Sequence, residues 1–258
     1  MAKKISILNF KGGVGKTTTC INLGAALNLL HKTVLIVDID SQANTTYLLG
    51  YDKGDGETIY DSLEPKTLQP LSIYENRKGL DFVAADERLG DIEELLVGRL
   101  RKEEQLKRLL APLDNLYDYI LIDCPPNRGL LTINAMCASD SVLIPIDSQL
   151  LALQGLEKIN FKFREVKEFV NPTLEIEGYL ITKYKSQLRI HRDVWHALKD
   201  IAPNKVFNAK IRDNVRLSET PSVRQDIFTY APDSIGAEDY MQLAREITGI
   251  RKKKGDKF

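Results

Sequence analysis

A chain of 258 residues, 43% hydrophobic and 28% charged, suits one α/β domain or two small ones, and its 36 basic and 36 acidic residues leave no overall field to draw it onto nucleic acid. Three cysteines, Cys20, Cys124 and Cys137, make no C-x-x-C pair and no disulfide framework, which suits a reducing cytoplasm. No apolar run is long enough to span a bilayer, and Met1-Ala2-Lys3-Lys4 leads into a short strand pattern rather than a signal sequence, so the expectation is a soluble cytoplasmic protein.

From Ile5 to Asn22 an apolar strand (Ile5, Ile7, Leu8) runs into a loop containing Gly12, Gly13, Val14 and Gly15. A helix then starts near Lys16, with Ile21, Ala25 and Leu29 at helical spacing. Strand, glycine loop and helix N-terminus in that order form a phosphate cradle, because backbone N–H groups close on the oxygens and the helix dipole favours negative charge. Lys16 is then placed to reach the β- and γ-phosphates, and the Thr17 hydroxyl to ligate Mg²⁺. The ordinary G-x-x-x-x-G-K-[ST] pattern wants glycine where this chain has Phe10, and Lys11 stands directly before the double glycine. The run Lys11-Gly12-Gly13-Val14-Gly15-Lys16-Thr17-Thr18 resembles the deviant Walker A motif of the ParA/MinD ATPases. That resemblance implies a P-loop NTPase fold, ATP and Mg²⁺ as cofactors, and nucleotide contacts along Lys11 to Thr18. It also implies that Lys11 crosses the interface of an ATP-sandwich homodimer to touch the partner's nucleotide.

Thr33 to Asp38 reads as a buried strand that ends in the polar loop Asp38-Ile39-Asp40-Ser41-Gln42-Ala43-Asn44. Two carboxylates beside a phosphate loop can position water, hold metal or act as a base; a strand-end Asp can equally cap the next turn. The matching ParA segment is Asp-x-Asp-Pro-Gln-Gly-Asn, and the resemblance makes Asp40 the catalytic residue that orients water and Asp38 a metal-side carboxylate. Ser41 and Ala43 depart from it. Gly54, Gly56, Pro65 and Pro70 break up the next stretch, leaving a short helix over 58–63 capped by Thr58 and a strand over 80–84. Residues 86–110 carry a surface helix pattern with a break near Arg101-Lys102.

Tyr117 to Pro126 has the form of a Walker B element: an apolar strand closed by Asp123, which would hold Mg²⁺ through a bound water, and a Pro125-Pro126 exit. Its Asp-Cys-Pro-Pro matches the ParA family residue for residue, and Cys124 inside it reads as a buried side chain. A helix over 130–138, a strand over 141–146, a helix over 151–170 and a strand over 175–182 follow. This alternation predicts a doubly wound, mostly parallel twisted sheet flanked by helices, one domain over 1–250.

Between Lys183 and Arg216 nine basic residues face three acidic ones, a net +6 in a neutral chain. Such a run binds phosphate backbones without reading sequence, or is a solvated face. ParA proteins use this region for nonspecific DNA, which points to Lys183, Lys185, Arg189, Arg192 and Arg216. The family arginine after the Thr-x-Tyr strand end aligns with Gln187, so Arg189 and Arg192 would have to substitute. The same resemblance places Lys210, Ile211 and Asn214 against the adenine. A helix over 236–248 precedes a basic tail, 251–258, expected to be disordered and too poor in apolar residues for a membrane helix.

The expectation from this resemblance is a DNA-partitioning ATPase of the ParA type. It would bind nonspecific DNA as an ATP-dependent homodimer on the nucleoid, hydrolyse slowly, and be released by a ParB-like activator. The alternative is a MinD-like or other cargo-positioning ATPase acting on a membrane or protein assembly. An iron–sulfur carrier would need paired cysteines at a dimer interface, and a metabolic ligase a further substrate motif.

Overall fold

Aliphatic and β-branched runs without a polar face form strands that must be covered on both sides. In the computed structural model, which describes residues 1–64, 69–76, 79–149 and 151–252, they build one eight-stranded sheet. The strands are β1 (Lys3–Ile7), β2 (Val34–Asp38), β3 (Tyr74–Glu75), β4 (Asp81–Val83), β5 (Tyr119–Asp123), β6 (Ser141–Asp147), β7 (Glu175–Tyr184) and β8 (Val206–Arg212). Their order is β3-β4-β2-β5-β1-β6-β7-β8, parallel throughout except for β3 on β4. The helices are α1 (Lys16–Leu29), α2 (Asn44–Leu48), α3 (Ile59–Leu63), α4 (Leu89–Leu96), α5 (Gln105–Leu110), α6 (Leu130–Ala138), α7 (Leu151–Phe169), α8 (Arg189–Ile201), α9 (Val215–Val223), α10 (Ile227–Tyr230) and α11 (Ile235–Thr248). This is the doubly wound P-loop NTPase fold.

Two cores cover the sheet. One joins Ile5, Ile7, Ile36 and Leu121 to α1 and α11; the other joins Leu35, Val37, Ile120 and Ile122 to α4, α5 and α6. The central helix α1 is buried on nearly all sides, which is why its pattern carries so little amphipathic contrast. Gly24 lets it approach β2: a Cβ there would lie 2.8 Å from Ile36 Cδ1. Gly24→Leu is therefore expected to lower stability by about 1–3 kcal/mol through overpacking, read as a fall in urea midpoint without a change in slope.

Three features differ from the sequence reading. The 86–110 segment does break at Arg101, whose φ of 53° is left-handed, but a 3-10 turn over Lys102–Glu104 then leads into the short α5. The antiparallel edge strand β3 and the strand β8 carry no sequence expectation, the first being two residues long and the second half exposed. Thr58 caps α3 as expected, its N–H donating to Asp61 at 2.8 Å. The breaker Pro65 and the tail from Lys253 lie outside the described residues.

Candidate nucleotide-binding site

Parallel strands deliver their carboxyl ends to one edge, and there β1, β2 and β5 bring the glycine loop, Asp38 and Asp123 together. Asp38 and Asp123 are register partners, as are Ile7 and Asp123. Gly13 (φ 73°) and Gly15 (φ 91°) take the left-handed backbone that the loop needs before α1 begins. Thr182 Oγ1 donates to the Val14 carbonyl at 2.9 Å and Asn9 Oδ1 accepts from the Lys11 N–H at 3.0 Å, fixing the loop from both sides.

A cavity of about 640 Å³ opens in front of the loop. Gly12 to Thr18, Asp40, Gln42, Asn44 and Pro126 line it, together with Ile211, Asp213, Asn214, Leu217 and Pro221. The volume falls within the usual range for small-molecule sites. Lys16 is buried in it, its ammonium 3.4 Å from the Lys11 carbonyl. Burial pulls the Lys16 ammonium below the usual lysine range, and Asp123 works against that pull.

Asp123 Oδ2 accepts from Thr17 Oγ1 and from Thr45 Oγ1, both at 2.7 Å. Its other oxygen, Oδ1, is buried and finds no hydrogen-bond partner among the described residues. Burial pushes this carboxyl up to about 6, against the hydroxyl donors. An unspent carboxylate oxygen beside a threonine hydroxyl is the hard-oxygen donor set that a hydrated Mg²⁺ takes, so these residues fit the metal. Among the described residues no group of three His, Cys, Asp or Glu forms an all-protein metal cage.

Asp38 and Asp40 are placed differently. Asp38 is fully buried, with Oδ1 accepting from the Asp40 N–H (3.0 Å) and Oδ2 from the Thr46 N–H (2.9 Å) and Thr46 Oγ1 (2.7 Å). Burial, then the Asp123 charge, pushes it up to about 7. Asp38, expected on the metal side, spends its oxygens on three donors of the 38–46 segment, whereas Asp123 keeps one oxygen without a partner among the described residues. Asp40 does line the cavity, with Oδ1 holding the Gln42 N–H at 3.1 Å.

The loop's two lysines part company. Lys16 points inward, whereas the Lys11 ammonium, half exposed, binds Asp147 Oδ2 at 2.6 Å and Gln149 Oε1 at 3.1 Å at the end of β6. Lys210 departs from the adenine expectation. Strand alternation sends Ile211 into the cavity and Lys210 to the opposite face, where its ammonium lies 3.8 Å from the Trp195 ring centre and 5.4 Å from that of Tyr184. Asn214 caps α9 by accepting the Arg216 N–H at 2.9 Å, and its buried Nδ2 has no partner among the described residues.

A family profile described as AAA domain matches residues 2–176. The sporulation initiation inhibitor protein Soj of Bacillus subtilis is 44% identical over 249 residues, 96% of this chain and 98% of Soj. The chromosome partitioning protein ParA of Myxococcus xanthus is 41% identical over 245 residues, 94% of this chain and 87% of that one. The chain belongs to the ParA/MinD family. Among solved structures, cobyrinic acid a,c-diamide synthase from Mycobacterium smegmatis with bound ADP and magnesium superposes with a TM-score of 0.83 at 30% identity, covering 96% of this chain and 94% of that one.

In this ParA/MinD protein the basic run is less free than its net charge implies. Lys185 pairs with Asp213, Arg189 with Asp193, Arg216 with Glu219, and Arg212 with both Glu238 and Asp239. Lys199 lies 4.1 Å from the centre of the Trp195 ring that Lys210 also covers. Arg189 and Arg192 on α8 and Arg216 on α9 are exposed, while Lys183, at φ 52° in β7, lines the nucleotide cavity. His191 accepts the Lys185 N–H at 3.0 Å, a packing role. All three cysteines are free and buried, and burial pushes their thiols up. Among the described residues no helix is long and apolar enough to cross a membrane.

Proposed function

We propose that this protein is a DNA-partitioning ATPase that dimerises on ATP, lies on nonspecific DNA as that dimer, and leaves when a ParB-like partner stimulates hydrolysis. The observation that carries the reading is the division of labour between two lysines of one loop. Lys16 serves the chain's own cavity, and Lys11, half exposed, stands outside it paired with the buried Asp147, where it can exchange that carboxylate for a second copy's phosphates. The likeness to Soj and ParA over nearly the whole chain supports the partition assignment.

In this reading the loop N–H groups and Lys16 hold the triphosphate, and Asn214 and Ile211 meet the base. Thr17 and Asp123 hold Mg²⁺, which when bound neutralises phosphate charge and keeps the triphosphate in one geometry. Asp40 positions the attacking water, and Asp38 keeps Asp40 in place. Of the two carboxylates in the cavity lining, Asp213 is paired with Lys185 and only Asp40 is left for the water, so the water is poorly prepared and basal turnover slow; a trans-acting group from an activator raises it. The DNA face comprises Arg189, Arg192, Arg216 and Lys185, with Lys183 at its border. Cytoplasmic, nucleoid-associated localisation follows from that cycle.

Co-sedimentation with nonspecific DNA in ATP, ADP and no nucleotide tests it. Binding is expected with ATP alone, lost at high salt and in Lys11→Ala, with a salt slope of several charges. Equal binding in all three states removes the switch. Lipid-dependent instead of DNA-dependent sedimentation favours the MinD-like alternative.

A further inference from the structure

Arg224, at the end of α9, is one of five non-glycine residues among those described with a left-handed backbone (φ 51°), a conformation that side chains adopt only at a cost. Its guanidinium accounts for it. Nε donates to the Tyr47 carbonyl (2.8 Å) and Nη2 to the Tyr51 carbonyl (3.0 Å), while Nη1 and Nη2 grip Asp52 (3.2 and 2.7 Å). The carbon at its centre lies 4.0 Å from the Tyr47 ring centre. One side chain thus ties off the carboxyl end of α2 and covers a face of the Tyr47 ring across 177 residues of sequence.

Tyr47 remains 51% exposed, an aromatic ring held rigid but not buried. It lines the nucleotide cavity, as do the apolar side chains of Leu48, Leu217 and Pro221. Asn214, whose buried Nδ2 has no partner among the described residues, lines the same cavity. A flat apolar wall, a rigid aromatic and an unpaired amide donor are what a heteroaromatic base requires: π-stacking for affinity and a hydrogen bond at its edge.

We propose that Tyr47, braced by Arg224, is the stacking platform for the nucleobase, so that the pair binds the base as the glycine loop binds the phosphates. This deepens the nucleotide reading and rests on it. A guanidinium on one face of the ring leaves the other for the ligand, and losing the brace frees both the ring and the end of α2.

Isothermal titration with Mg·ATP and with Mg·tripolyphosphate, which has no base, separates the two ends of the site. Tyr47→Ala is expected to weaken ATP about tenfold and tripolyphosphate less than twofold. Tyr47→Phe keeps wild-type affinity because the ring, not the hydroxyl, does the work. Arg224→Gly, which accepts the left-handed backbone without strain, is expected to weaken ATP about threefold with tripolyphosphate unchanged. Unchanged ATP affinity in Tyr47→Ala, or equal losses for both ligands, overturns the proposal. Wild type that binds ATP no tighter than tripolyphosphate overturns this assignment alone, whereas wild type that binds neither overturns the nucleotide reading beneath it.

Discussion

Asp40→Ala is expected to lower ATP turnover by about two to four orders of magnitude while ATP affinity stays within a few-fold of wild type. The asymmetry comes from how the two loop carboxylates are spent. Asp40 reaches the cavity with one oxygen holding only the Gln42 N–H, so its loss removes a water-positioning group and little structure. Asp38 holds three donors in the interior and orders the turn that presents Asp40. Asp38→Ala should therefore lose affinity and stability as well as turnover, because three buried donors are left unpaired. Single-turnover phosphate release beside equilibrium nucleotide binding distinguishes the two. A fully active Asp40→Ala chain would move the hydrolytic role elsewhere, and an Asp40 variant that fails to bind ATP would make the residue structural. If turnover clears the protein from DNA, Asp40→Ala should also remain on DNA in ATP after wild type has dissociated.

How far the site could be read in the sequence follows from how its parts are joined. The glycine loop, Lys16, Thr17 and Asp123 are recognisable because consecutive residues carry their chemistry and strand ends place them. The helix over 130–138 and the strand from Ser141 are equally plain, being short, mostly apolar runs separated by Ser139-Asp140. The structural part of Asp38 is not legible locally, because it depends on Thr46, eight residues on, whose backbone and hydroxyl it binds. Lys210 was misplaced because β8, half exposed, carried no strand expectation, and without the strand its alternation with Ile211 could not be used. The charge run overstated the basic surface, since Glu219, Glu238 and Asp239 lie outside it and return to neutralise Arg216 and Arg212. Tyr47 and Arg224 gave no signal at all: each is an unremarkable residue until the fold brings them together.

Acidification is expected to stabilise the metal-free protein, and one pair of carboxylates is responsible for much of the effect. Asp38 and Asp123 are both fully buried, sit in register on adjacent strands, and are pushed from an ordinary 3.8 up to about 7 and about 6. In the unfolded chain both lose their protons near pH 4; in the folded chain they keep them until about pH 6–7. Between those limits the native state binds more protons, so stability falls as pH rises through the window and is level above it. In EDTA, the urea midpoint should therefore be higher at about pH 5 than at about pH 8, against the usual carboxylate trend. Asp38→Asn should flatten that slope, because it removes one buried charge and relieves the other, whatever it does to the absolute midpoint. Mg²⁺ should flatten it too, from the opposite direction: a cation at the free Asp123 oxygen lets the ionised pair exist in the folded chain. The steepest slope belongs to wild type without metal, and a wild-type slope already flat in EDTA would mean that Asp38 and Asp123 share no buried charge. That result would also withdraw the reason for a cation to bind between Thr17 and Asp123, since uncompensated negative charge in a dry pocket is what draws it there.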